Sequence, residues 1–593
     1  MIRKPLRPLA QVLDARTRGE DPDRIEAENI QERHDAMRDR FRLRAEGRLL
    51  FLAFAFCAAF LTIGARMVVL AGADPAEPRR FVGATQIQSQ RADILDRNGR
   101  LLATNHTTSA LYSHPRELID PARTARELAR IFPDLDEAQL LRQLTGKASF
   151  VWLRRRLSPE QVQMVHDIGE PGLYFGPREM RLYPNGRLAA HVLGGARFGD
   201  EGVHSAEVIG TAGVELALDQ RLRDPQRLDT PVELSLDLTV QAVVAEVLDA
   251  GMKMLGAKGA AAIIMDAHSG EIISMVSLPD FDPNDRPRPP VSGDPGDSPI
   301  FNRALQGVYE LGSVMKVFPV AQALELGLVM PETMVNSSSP MQLGKHRIRD
   351  FRNYGPQLSV SDVVVKSSNV GTVRINNMVG TTHQQAFLQE LGFFDAVPVE
   401  LAEAPRARPL LPRRWSDIHA ATISYGHGIS VSPLHLAQGY AALVNGGTKV
   451  TPSLLKGGNP QRGAQVISPQ TSALMREMLR KTVTEGTAKM ADIPGYFVAG
   501  KTGTADKMKP TGGYYKDKVM ANFAGTFPVT DPRYVIVVSL DEPSETSGTE
   551  VRRTAGWTAV PVTAEIIRRA APLMGLVPAL ETPRLSGLTR VGN

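Results

Sequence analysis

Residues 309–316 read Tyr309-Glu310-Leu311-Gly312-Ser313-Val314-Met315-Lys316. If Ser313 opens a helix, Ser313 and Lys316 stand at i and i+3 on one face, where a neutral lysine amine can take the serine proton. The helix N-terminus adds partial positive charge near a carbonyl under attack. A lysine serves as such a base only where burial or nearby cations pull its pKa towards neutrality. Pro319 falls inside the expected helix, Gly312 to about Leu328, and predicts a kink, since a mid-helix proline loses a hydrogen bond and costs about 3 kcal/mol.

A Ser-x-x-Lys pattern alone is weak: about one match is expected by chance, and a second stands at Ser453–Lys456. That copy follows Thr451-Pro452, lacks companions, and reads as ordinary surface. Downstream of the first lie Ser367-Ser368-Asn369 and Lys501-Thr502-Gly503-Thr504, with gaps of about 50 and about 130 residues. The serine–asparagine triplet is equally common in loops and caps. The Lys-Thr-Gly-Thr run follows the apolar Tyr496–Ala499 and is predicted to lie on an edge strand. There glycine admits a close backbone approach by substrate, and lysine and threonine groups can hold a carboxylate. Ser-x-x-Lys, Ser-x-Asn and Lys-Thr-Gly in this order are the signature of penicillin-recognising serine enzymes.

The surrounding pattern is α/β. Val240, Val243, Val244, Val247 and Leu248 recur at helical spacing. Strands are predicted over Ala260–Met265 and Glu271–Val276, joined by the turn Asp266–Gly270, and later over Tyr496–Ala499, Asn522–Phe527 and Tyr534–Leu540. Helical patterns run around Ser361–Val379 and Leu434–Val444, and Pro279 to Pro299 reads as a surface loop. The sum is a sheet with helices on both faces. Before it, residues 71–231 read as a mixed α+β module without a nucleophile–base pair. It has an Asn98-Gly99 hairpin turn and helical stretches at Ala122–Ile131 and Leu135–Leu144.

Of the 593 residues, 42% are hydrophobic and 22% charged, with a net charge of +5 and one cysteine, Cys57. No basic stripe with interleaved aromatics points to nucleic acid. Internal disulfides and thiolate zinc sites have no partners to form them, and neither metal nor cofactor is called for. From Leu49 to Leu70 the chain is apolar apart from Arg66. As a helix it would reach about 33 Å, enough for a hydrocarbon core of about 30 Å. Arg38, Arg40, Arg42, Arg44 and Arg48 precede it and hold that end in the cytoplasm. A cleaved signal peptide, with Ala71-Gly72-Ala73 as its site, is the rival reading, but the preceding 48 residues are too long for an ordinary n-region. The expected order is a cytoplasmic tail (1–48), a single transmembrane helix (49–70), the α+β module (71–231), the α/β domain (232–577) and a tail (578–593).

On these motifs the chain resembles class B penicillin-binding proteins, and most of all the division-specific FtsI group. Tyr309–Ser313 is similar to the family's Tyr-Glu-Pro-Gly-Ser, with Leu311 for proline. Ser367-Ser368-Asn369-Val370-Gly371 and Tyr425-Gly426-His427-Gly428 resemble further blocks, His427 replacing a common aromatic. Lys501–Ala505 agrees throughout. In the amino-terminal module, Arg91–Gly99, Arg181–Pro184, His191–Gly194 and Gly213–Glu215 match family blocks. Ala555–Pro561 departs from the family's small-residue block.

The resemblance implies a penicillin-binding serine transpeptidase fold on a pedestal module. Ser313 would attack the penultimate D-Ala of a peptidoglycan stem peptide with Lys316 as base, in an oxyanion hole made by the N–H groups of Ser313 and Thr504. Ser367 would pass a proton to the leaving amine, and Lys501 would keep the field positive. Asn369 would bind the donor peptide, and Thr502, Gly503 and Thr504 would line the carboxylate site. β-Lactams would enter the same route. The implied partners are the membrane, an FtsW-like SEDS-family glycosyltransferase and other divisome proteins. The implied place is the inner membrane, with the catalytic domain in the periplasm. An elongation-type transpeptidase, a D,D-carboxypeptidase or β-lactamase, and a non-catalytic divisome scaffold or β-lactam sensor remain alternatives.

Overall fold

The computed structural model describes residues 7–21, scattered positions between 23 and 38, then 51–65, 91–202, 205–457, 463–509 and 511–579. The chain divides into two compact units, Met1–Gln86 and Ile87–Asn593. In the first, Arg7–Arg18 is a helix with an exposed Arg18–Asp14 ion pair across one turn. Residues 51–65 are helical with exposed side chains. Of the expected span, Leu49, Leu50 and 66–70 lie outside the described residues, as do Arg40, Arg42, Arg44, Arg48 and 71–90. Among the described residues no helix is long and apolar enough to cross a membrane.

The second unit is built on five strands: β1 (Gly259–Asp266), β2 (Ile272–Leu278), β3 (Ala499–Met508), β4 (Tyr514–Phe527) and β5 (Tyr534–Asp541). All pair antiparallel in the order β3-β4-β5-β1-β2, which leaves β3 at an edge. Side chains alternate between the two faces, as the two-residue period of a strand requires. Ala260, Ala262 and Ile264 join the core formed with helices α1 (Leu238–Met254) and α7 (Ala559–Leu573). Ala261, Ile263 and Met265 join the core on the other face. That second core also takes in α2 (Val317–Glu325), α3 (Val360–Lys366), α4 (Asn369–Val379), α5 (Pro433–Val444) and α6 (Pro469–Thr484). The predicted sheet with helices on both faces is therefore present.

Three sequence expectations are corrected. The strand expected at Tyr496–Ala499 begins only at Ala499, because Phe497 takes a left-handed φ of 43° that no strand continues through. The single helical pattern over Ser361–Val379 is two helices, broken where Ser367 is left-handed (φ 63°, ψ 45°). Pro319 carries no mid-helix cost. Residues Gly312–Lys316 form a short 3₁₀ turn and α2 starts at Val317, so Pro319 lies in a first turn whose N–H groups have no intrahelical acceptor.

In the amino-terminal module, Ile94–Leu95 folds back on Leu101–Ser113 around the Asn98-Gly99 turn, with Gly99 at φ 80°. Ile94–Leu95 also pairs in parallel with Val232–Glu233. The long strand pairs further with Val151–Leu157 and Leu173–Leu182. A separate small core of Leu111, Leu128, Phe132, Leu140 and Leu153 holds helices Pro121–Ile131 and Glu137–Leu144 against it. At the base, the Glu215 carboxylate takes Arg91 Nε and Arg181 Nε at 2.6 Å each, and Arg91 also pairs with Asp219 at 2.6 Å. Buried charges persist only when paired and hydrogen-bonded in this way.

Candidate active site

The 3₁₀ turn places Ser313 and Lys316 one above the other, since i and i+3 eclipse at three residues per turn. Ser313 is half-buried and Lys316 fully enclosed. The turn is held from several sides. Tyr440 of α5 donates its hydroxyl to Val314 O at 2.9 Å, and Asn522 of β4 donates Nδ2 to Leu311 O at 3.1 Å. The Gly312 N–H donates to Gly426 O at 3.2 Å. Gly312 itself has φ 67°, and a Cβ there would stand 2.6 Å from Thr504 O. The backbones of the Ser313 turn and of β3 are therefore in direct contact, which the expected oxyanion hole of Ser313 and Thr504 needs.

Lys316 reaches across to the break between α3 and α4. Its Nζ donates to Ser367 O at 2.5 Å and to Ser367 Oγ at 3.1 Å. Burial, and then the neighbouring Lys501, push its pKa well below the usual 10.5, against a smaller upward pull from Asp350. A neutral amine has two hydrogens and one lone pair. With both hydrogens directed at Ser367, the lone pair is left free to accept a proton. Lys501 is also fully enclosed, and burial brings its pKa down to about 7.

The left-handed conformation of Ser367 is a strained state for a non-glycine residue, of order 1–3 kcal/mol. The contact from Lys316 is one of the interactions that hold it. Asp350 holds the other side of the break. Its carboxylate accepts from Ser368 Oγ at 2.7 Å and from the N–H groups of Asn369 at 2.5 Å and Val370 at 3.0 Å, so it caps α4 from a distant part of the chain. Asn369 donates Nδ2 to Arg349 O at 2.8 Å, which turns its side-chain oxygen into the free acceptor.

On β3, Lys501 and Gly503 face the Ser313 turn, while Thr502 and Thr504 face the α7 side. A Cβ on Gly503 would stand 2.4 Å from Leu311 O and 3.0 Å from Val314 N. That space belongs to the nucleophile's own turn, so the expected close approach by substrate is taken up by the protein instead. Thr504 Oγ1 accepts from Ala555 N–H at 3.0 Å, and Thr502 Oγ1 lies 2.6 Å from Thr487 Oγ1. Accepting from Ala555 leaves Thr504 its hydroxyl hydrogen to donate to a carboxylate. Thr502 does too when Thr487 is the donor of that pair.

Five of the eight expected residues, Ser313, Lys316, Ser367, Lys501 and Gly503, are thus gathered at one place, with Asn369, Thr502 and Thr504 on its borders. Sequence reasoning missed Asp350, Tyr440, Thr487 and Asn522, none of which sits in a recognisable motif. It also misread Ser453, which is buried at 4% exposure rather than surface. Its hydroxyl donates to Glu400 at 2.9 Å, and Lys456 pairs with Glu233 at 3.0 Å.

Residues 260–567 match the family model for the penicillin binding protein transpeptidase domain, and 86–226 that for the penicillin-binding protein dimerisation domain. Among curated relatives, the probable peptidoglycan D,D-transpeptidase FtsI of Caulobacter vibrioides is 35% identical over 504 residues, 83% of each chain. The peptidoglycan D,D-transpeptidase FtsI of Escherichia coli K12 is 28% identical, covering 78% of this chain and 81% of its own. Among solved structures, penicillin binding protein 3 of Mycobacterium tuberculosis in complex with aztreonam superposes with a TM-score of 0.60 at 26% identity. It covers 82% of this chain and 95% of its own.

Proposed function

The chain belongs to the penicillin-binding proteins, and from that premise we propose that it cross-links peptidoglycan through an acyl-enzyme on Ser313 during septal wall synthesis. It is a peptidoglycan D,D-transpeptidase and a target of β-lactams. The observation that carries the residue assignment is the enclosed Lys316 amine, fixed on Ser367 one turn from Ser313, with Lys501 lowering its pKa.

In this reading Ser313 Oγ attacks the penultimate D-Ala carbonyl while the Lys316 lone pair takes its proton. The N–H groups of Ser313 and Thr504 meet the developing oxyanion, where loss of one donor typically costs about 2.7–4 kcal/mol. Ser367, already bonded to Lys316, hands the proton on to the departing D-Ala amine. Asn369 receives the donor peptide's backbone through its side-chain oxygen, and Thr502 and Thr504 donate to the terminal carboxylate. An amine of a neighbouring stem peptide then replaces Ser313 on the acyl group. A β-lactam follows the same first step and leaves slowly.

The test is covalent labelling with a fluorescent penicillin. Ser313→Ala should abolish the adduct, and Ser453→Ala should leave it. A persisting adduct on Ser313→Ala removes the assignment.

The apolar run 49–70 and the arginines before it support one uncleaved span, with the tail in the cytoplasm and residues 71–593 in the periplasm. The Ser-Ser-Asn-Val-Gly block supports the septal role over the elongation role. The pedestal would lift the site towards the glycan strands and, with the span, dock an FtsW-like polymerase. Depletion should give filaments that fail to close septa. Loss of side-wall shape with septa intact would move the enzyme to elongation and leave the transpeptidase assignment standing.

A further inference from the structure

Beside the nucleophile lies a polar wall that the first half-reaction does not use. Its loop, residues 425–428, is pressed onto the Ser313 turn: a Cβ on Gly426, at φ 89°, would stand 2.0 Å from Gly312 O. Glu310, three residues before Ser313, is 8% exposed. Its Oε1 accepts from the Gly428 N–H at 2.6 Å and from the Tyr514 hydroxyl at 3.2 Å, and its Oε2 is enclosed with no partner. His427 is half-buried between Tyr425 and Tyr514, with ring centroids 5.4 and 5.9 Å away. Its Nδ1 is likewise enclosed and without a partner. The exposed edge of the ring is therefore the one that carries Nε2.

Two enclosed, unpartnered polar atoms on neighbouring residues cost more apart than joined, directly or through one water. We propose that Glu310 and His427 form such a pair, and that His427 Nε2 is the base for the second half-reaction, taking the proton of the amine that resolves the acyl-enzyme. This rests on the transpeptidase reading above. Glu310 would fix the tautomer by accepting from Nδ1–H, which leaves the Nε2 lone pair towards the cleft.

The amine nitrogen bonds to the acyl carbon and yields its proton to Nε2, and the bond from that carbon to Ser313 Oγ breaks. Ser313 Oγ recovers the same proton through Lys316, so both bases end neutral. The groups facing the ring are Glu310 and Lys316 from the nucleophile's segment, Asp506 from β3, Tyr514 from β4 and Tyr425 from its own loop. Burial, and to a smaller extent Lys316, lower the His427 pKa, against upward pulls from Glu310, Asp506 and the Tyr425 backbone, so the surroundings favour the neutral ring.

The test follows a benzoyl-D-alanyl thioester as donor, with D-alanine as the probe amine, in the full-length enzyme. The readout is the partition of the acyl-enzyme between amine and water. His427→Phe and His427→Gln should each lower the amine-captured fraction about tenfold or more, and Glu310→Gln should lower it in the same direction. The parent's acid-side loss of capture should vanish in both His427 variants. Unchanged partition in a His427 variant that still forms the acyl-enzyme overturns this inference alone. No acyl-enzyme in the parent overturns the transpeptidase reading along with it.

Discussion

Lys316 and Lys501 both sit fully enclosed within one site, an arrangement that folding alone would avoid. A lysine whose folded pKa is depressed binds its proton more readily in the unfolded chain, so its burial destabilises the fold at low pH. The penalty is released as pH rises from the folded to the unfolded value. For Lys501 that window runs from about 7 to the ordinary 10.5. Lys501→Met should therefore raise the melting temperature at pH 6, by several degrees at about 2–4 °C per kcal/mol. The gain should shrink steadily towards pH 10. The same variant should acylate about a hundredfold more slowly or worse. Because a positive neighbour that depresses Lys316 has gone, the rising limb of its acylation–pH profile should move to higher pH. A melting temperature that falls, or a limb that moves to lower pH, would contradict the assignment of Lys501 as a buried charge that adds to burial in depressing Lys316. Lys316 and Lys501 were legible as residues because their motifs are short and ordered. Asp350 was not, because its role comes from the fold returning it to the N-terminus of α4.

At the level of elements, the site is a meeting of one edge strand with one short turn. The hydrophobic pattern showed β1, β2, β4 and β5 because their alternating apolar residues are buried on both faces. It is silent on β3, whose polar Lys-Thr-Gly-Thr-Ala-Asp run borders the cleft and is expected on an edge strand from its motif alone. The break at Ser367 was hidden for a related reason: valines on both sides continue a helical period that a strained serine interrupts. Glycine at 503 is required by the turn, not left open for substrate. In Gly503→Ala the new methyl would meet Leu311 O and Val314 N, which are backbone atoms that cannot swing aside. The variant should fold with a loss of about 1–3 kcal/mol, because Ser313 must back away from β3. Its acylation by a fluorescent penicillin should fall about a hundredfold, since displacing a reacting group by about 1 Å costs that much. Near-parental labelling would mean that the turn adjusts without moving Ser313.

Across the second unit, the boundary drawn at residue 231 from composition does not separate two cores. Ile94, Leu102, Val192, Leu193, Val214 and Leu222 of the amino-terminal module pack into the same buried cluster as Val314, Phe318 and Leu436 of the catalytic part. Polar contacts run along the same seam. The N–H of Arg97 donates to Leu236 O, Arg97 pairs with Glu271 at 3.2 Å, and the Gly213 N–H donates to Glu403 at 3.1 Å. Even the Pro-rich stretch expected to be free surface is partly enlisted: Asn284 bonds both the N–H and the carbonyl of Tyr183, and His191 reaches Pro299 O at 2.8 Å. Only the outer part, centred on Leu111, Leu128 and Phe132, has a core of its own. A sequence reading cannot see this, because helical and strand periods report which face is buried and not against what. The catalytic fragment 232–579 should therefore fail to give a soluble, penicillin-binding product, for it would expose the apolar residues that the module's base covers. At about 25 cal/mol per Å² of apolar surface, even a few uncovered side chains remove several kcal/mol from a fold whose net stability is about 5–15 kcal/mol. The fragment 87–579 should be soluble and labelled by penicillin, and its base should unfold together with the catalytic sheet, as near-coincident loss of labelling and of far-ultraviolet signal would register. A soluble 232–579 with full labelling would show that the shared core is dispensable and that the two parts are separable domains after all.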